Sequence, residues 1–168
     1  MQTVSQFSSL DVMTFRGRQT LEDERKVALW VAKRGFVYAQ TPKEAPAKVD
    51  AVLIKEDKAI ALLETKCRYG LDLQWLQTKF SNEWLVTAEK IEAGLKIAEG
   101  LCLPFWGMLY LVNCDTLLVQ SISGAQIRYE DTKTQATVNG GVAMRKNAFI
   151  KMDKAKVFEN ISKVGIRL

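Results

Sequence analysis

The chain has no histidine in its 168 residues. A Ser-His-Asp or Cys-His hydrolase, an HExxH metalloprotease and every nuclease chemistry that leans on histidine would lack a general base or a ligand. Any catalysis has to run on carboxylates, lysines and a hard metal ion. Cysteine is scarce too: Cys67, Cys102 and Cys114 are an odd number at wide spacings, which fits reduced thiols better than a disulfide framework or a zinc site. Long apolar runs are missing. The longest, Leu101 to Val112, is broken by Pro104 and Gly107 and falls short of the roughly 20 residues a membrane span needs. No basic segment followed by an apolar one opens the chain, so the expectation is a cytoplasmic (intracellular) protein without a membrane partner. No internal repeat or low-complexity tract is visible.

What is present is ordinary globular composition, 48% hydrophobic and 26% charged, in a length suited to one domain spanning residues 1–168. The net charge of +5 is unevenly placed. Residues 133–168 carry eight Lys and Arg against two Asp and Glu, whereas the remainder is nearly neutral. A basic C-terminal part points to a polyanionic partner, because cations gain affinity for phosphates by releasing counterions. The alternative is a solvated basic face.

Thr20 followed by Glu22, Asp23 and Glu24 reads as a helix start, with Leu21, Val27, Ala28, Trp30 and Val31 forming an apolar face that Gly35 ends. Gly35 to Gln40 reads as a strand. Lys48 to Lys55 and Lys58 to Cys67 are rich in Val, Ile and Leu, are parted by a polar turn, and make a hairpin. A polar and aromatic stretch leads to a second helix expected over Glu83 to Gly100, with Leu85, Ala88, Ile91, Leu95 and Ala98 inward. Phe105 to Val112 and Thr116 to Ile122 are further strands. In the tail, Asn139-Gly140 is a hairpin signal between β-capable flanks, consistent with a basic ribbon or with a loose arm.

The chemistry concentrates in the hairpin. Residues two apart on a strand share a face, so Glu64 and Lys66 project together. A three-residue turn over Glu56 to Lys58 would set Asp50 opposite Glu64, at the Cβ separation of about 4.5–5.5 Å typical of cross-strand partners. Two carboxylates that close repel unless a cation neutralises them, and hard oxygen ligands of this kind suit Mg²⁺. Ile60 and Leu62 share the face of Glu64, so an apolar surface turns charged at its end, as a site would and a solvated ion pair would not. Trp75, Trp84 and Trp106 read as core or interface residues.

An Asp, a short turn, an apolar strand and Glu64-Thr65-Lys66 resemble the PD-(D/E)XK nuclease superfamily. The resemblance implies a restriction-endonuclease-like fold, an α/β protein with an αβββαβ core around a central mixed sheet. That core would span about residues 17–122, with a basic, β-rich C-terminal extension over 123–168. It implies a metal-dependent DNA endonuclease in which Asp50, Glu64 and the Thr65 backbone carbonyl hold Mg²⁺, with Mn²⁺ as a substitute. Lys66 would orient or activate the attacking water, and Glu24 resembles the additional acid of many members. Arg68, Lys90, Arg145 and Lys146 are candidate contacts to DNA. Small size makes a Holliday-junction resolvase, acting as a homodimer, one version of this reading. A nucleic-acid-binding module that keeps the fold without cleaving is the rival from another class.

Overall fold

The structure is a computed structural model that describes residues 15–42, 47–135 and 142–163. In chain order its elements are α1 (Phe15–Ala32), β1 (Val37–Gln40), β2 (Ala51–Lys55), β3 (Lys58–Arg68), α2 (Leu73–Lys79), β4 (Glu83–Thr87), α3 (Ala88–Gly100), β5 (Phe105–Leu111), β6 (Thr116–Ser121), β7 (Ile127–Gln135), β8 (Val142–Lys151) and β9 (Lys156–Glu159). Six strands form one sheet in the order β1-β2-β3-β5-β6-β9. Only the β3–β5 pair in it is parallel, so the sheet is mixed. A second, antiparallel sheet has the order β4-β8-β7.

The main sheet is covered on both faces, which is why β3 and β5 read as nearly continuous apolar runs. On one face α1 places Val27, Trp30 and Val31 against Ala51, Leu53, Ala61, Leu63, Met108 and Tyr110. On the other, Leu62, Phe105, Leu109, Leu111 and Leu118 meet Ile91 of α3 together with Trp84, Val86, Ala148 and Ile150 of the second sheet. Among the described residues no helix is long and apolar enough to cross a membrane.

Four local expectations change. The first helix is already under way at Phe15, ahead of the Thr20 cap expected from sequence. The second helix begins at Ala88, because Glu83–Thr87 is a strand whose Trp84 and Val86 alternate into the core against β8. Leu85, expected inward on a helix, is instead the half-buried residue between those two. The polar and aromatic stretch contains the short helix α2, capped by Asp72, whose carboxylate accepts the Trp75 backbone N–H at 2.8 Å. The basic tail is a ribbon: β7 and β8 pair along their length, and β9 extends the main sheet beside β6. The Asn139-Gly140 turn lies outside the described residues.

Candidate active site

The β2–β3 turn sets the geometry. It holds two residues, Glu56 and Asp57, both with positive φ (49° and 61°), the backbone that a tight hairpin needs to match its strand twist. A two-residue turn alone would give a straight register with Leu63 opposite Asp50. Instead Leu53 pairs with Ala61 while Ile54 pairs with Ala59, leaving Ile60 as a bulge. The bulge supplies the residue that the expected three-residue turn would have supplied. Ala51 therefore faces Leu63, and one step outward on each strand stand Asp50 and Glu64.

Asp50 is fixed from both sides by its backbone. Its N–H donates to the Leu63 carbonyl at 2.9 Å, and its carbonyl accepts from the Thr41 N–H and hydroxyl, each at 2.9 Å. Its side chain reaches across the hairpin mouth, where Oδ2 accepts the Thr65 N–H at 2.8 Å. A strand residue points its N–H and C=O to the same edge. The Thr65 carbonyl therefore opens toward the space Asp50 occupies.

Glu64 is wholly buried and stands beside Gly107 of β5. Two ammonium groups approach it: Lys66 Nζ lies 2.8 Å from Oε1 and Lys90 Nζ lies 3.0 Å from Oε2. Lys90 Nζ also donates to Asp50 Oδ1 at 2.5 Å. Both buried oxygens of Glu64 thus face an ammonium group at ion-pair distance. The lysines keep some contact with water, 28% of the side chain for Lys66 and 25% for Lys90.

Burial and charge pull these groups apart in acidity. For Asp50, burial pushes upward, but Lys66, Lys90 and the Thr65 N–H outweigh it and hold the carboxyl at about 2. For Glu64, burial dominates and the neighbouring Asp50 adds to it, so its pKa lies above the ordinary value despite both lysines. Burial draws Lys66 downward, yet the charges of Glu64 and Asp50 prevail and raise it.

The expected set is thus partly assembled. Asp50, Glu64 and Lys66 converge, and Lys90, expected only as a contact to DNA, joins them. Sequence reading missed this because it put Lys90 in the middle of a long helix. In the structure it lies in the first turn of α3, where Thr87 and Glu89 were the available signal of a helix start. Glu24 makes no ion pair with either lysine of this cluster, but the charges of Glu24, Asp50 and Glu64 all act on Tyr38. Glu24 sits on α1, where its Oε2 accepts from Gln40 Nε2 at 3.1 Å, and Gln40 pairs with Ala51, the residue after Asp50. Among the described residues no three acids cluster closely enough to hold a metal ion. The α1 side of the sheet reaches the site through Tyr38, whose hydroxyl meets the Thr65 hydroxyl at 2.8 Å. Arg68 donates to the Leu85 carbonyl at 2.7 Å, on the Glu64–Lys66 face of β3. Arg145 and Lys146 are exposed neighbours on β8 and so point to opposite faces; Lys146 lies 3.3 Å from Glu92 of α3. Of the tryptophans, Trp84 is buried and Trp106 half-buried, but Trp75 is 53% exposed.

The donor set fits a hard divalent ion. Two carboxylates and a backbone carbonyl are oxygen ligands of the kind Mg²⁺ takes, and both buried Glu64 oxygens already face cations.

No protein-family model matches the sequence, and no curated protein matches it. A solved structure does: Hjc, a Holliday junction resolvase from the archaeal hyperthermophile Archaeoglobus fulgidus. The likeness has a TM-score of 0.53 at 16% identity and covers 84% of this chain and 92% of that one. The mixed sheet and the helix on each face are those of the restriction-endonuclease-like fold.

Proposed function

We propose that the chain is a divalent-metal-dependent DNA endonuclease whose site is Asp50, Glu64 and Lys66. The observation that carries this reading is the meeting of these three side chains at one hairpin mouth, with the Glu64 carboxylate wholly buried against the Lys66 ammonium. Burying charges of this kind costs desolvation that an apolar sheet would not incur, which favours a functional reason for the cluster. The fold shared with Hjc supports the same reading, as does the basic C-terminal part.

Asp50, Glu64 and the Thr65 carbonyl would hold the ion. Bound there, Mg²⁺ or Mn²⁺ would polarise a phosphate oxygen and make a nearby water more acidic. Asp50 is aimed for this by the Thr65 N–H, which fixes one of its oxygens and leaves the other facing Glu64. Lys66 presents its ammonium from the same strand face as Glu64, placed to orient the attacking water and offset charge that builds on the phosphate. Glu24, hydrogen-bonded to Gln40 beside the Asp50 end of the hairpin, would hold a metal-bound water. Arg68, together with Arg145 and Lys146 on opposite faces of the β7–β8 ribbon, would be the groups to meet the DNA backbone.

Likeness to a resolvase makes a four-way junction the first substrate to try, with a homodimer presenting two sites. The test is cleavage of duplex, single-stranded and four-way-junction DNA with and without Mg²⁺, using Glu64→Ala as control. Metal-dependent products from the wild type alone are expected. Equal cleavage by the variant would refute the site, and metal-dependent binding without cleavage of any of the three would favour the binding-module reading.

A further inference from the structure

Lys90 holds the position that a metal ion would take. Its Nζ lies 2.5 Å from Asp50 Oδ1 and 3.0 Å from Glu64 Oε2, the inward-facing oxygen of each carboxylate. Lys66 instead touches Glu64 Oε1. Two ammonium groups against two carboxylates leave the cluster formally neutral. Adding a divalent cation to all four would leave a charge of +2 around a carboxylate with no exposed surface, with like charges at contact distance. One ammonium must leave. Lys66 can stay on Oε1, whereas Lys90 bridges the very oxygens that an ion shared by both carboxylates requires.

We infer that Lys90 is the resting counter-ion of this site, a positioning residue that holds Asp50 and Glu64 together without metal and that a divalent ion must displace. The inference rests on the proposed metal site and adds a competition to it. Helix α3 supplies the means, since Lys90 is joined to its backbone by a flexible four-carbon stem and its side chain is 25% exposed, giving the ammonium a way out to water. The competition weakens metal binding by the fraction of time the position is free.

The test is Mn²⁺ titration by calorimetry on the full chain, comparing wild type, Lys90→Met and Glu64→Gln. Methionine keeps much of the stem and removes the charge. If the ammonium fills the position about nine-tenths of the time, Lys90→Met binds Mn²⁺ about tenfold more tightly than wild type. Glu64→Gln should bind weakly or not at all. Tighter binding is a result that damage to the fold would not give. Equal or weaker binding by Lys90→Met, with wild-type binding intact, would overturn the role of Lys90 and leave the metal site standing. Absence of binding in both wild type and Lys90→Met would overturn both. A second measurement needs no variant: with reductively methylated lysines, the Lys90 methyl resonance should shift on saturation with diamagnetic Mg²⁺, and a resonance that stays in place would refute displacement.

Discussion

Asp50→Asn in the metal-free protein isolates one charge. Asparagine preserves shape, and its carbonyl oxygen can still accept the Thr65 N–H that Asp50 Oδ2 accepts at 2.8 Å. What is lost is the attraction of the carboxylate to Lys66 and Lys90, which outweighs burial and takes the carboxyl from an ordinary 3.8 to about 2. A depression of that size corresponds to about 2 kcal/mol of folding stability. The sign follows from linkage. A carboxyl depressed in the folded state stabilises it above the unfolded pKa of 3.8, and that contribution fades as pH falls through about 2. Glu64 pulls the other way. Removing the Asp50 charge eases ionisation of Glu64, so about 2 kcal/mol is an upper value. Urea unfolding in chelator at about pH 6 should show Asp50→Asn less stable than wild type by up to about 2 kcal/mol, a gap that closes to below about 0.5 kcal/mol near pH 2. Equal stability at the higher pH, or a gap that persists undiminished at the lower, would refute the reasoning.

Two other substitutions probe different links. Lys66→Met should lower kcat on the preferred DNA about 10²- to 10⁴-fold with KM nearly unchanged, because in the proposed site the ammonium would act on the reacting centre; steady-state kinetics showing a KM effect alone would contradict this. Gly107→Ala puts a Cβ 2.6 Å from Trp84 Cζ2 and 3.2 Å from Ile122 Cδ1, next to Glu64. Trp84 is 2% exposed and has little room to yield, so a loss of about 1–3 kcal/mol in thermal unfolding is expected.

The convergence of Asp50, Glu64 and Lys66 was legible because strand alternation is local: two residues apart is one face whatever else the chain does. The offset across the hairpin was also foreseen, but by another device. A tight turn with two left-handed residues and a bulge at Ile60 replaced the wider turn, and nothing in the apolar run marked that residue as extra. Strand β4 was hidden because its reason for being a strand is β8, far along the chain, and Leu85 with Ala88 imitates helical spacing. Misplacing that boundary hid Lys90. Glu24 was legible only as an acid near a helix start, a signal that says nothing about which face of the sheet the helix will cover. Its carboxylate looks to Gln40 on the α1 side.

The most direct measurement of the central claim is anomalous scattering from Mn²⁺ soaked into crystals of the protein. The account predicts one peak at the mouth of the β2–β3 hairpin, within about 2.0–2.3 Å of oxygens of both Asp50 and Glu64, with Lys90 turned away. Mn²⁺-dependent cleavage by a protein whose only ion lies away from both carboxylates would contradict it.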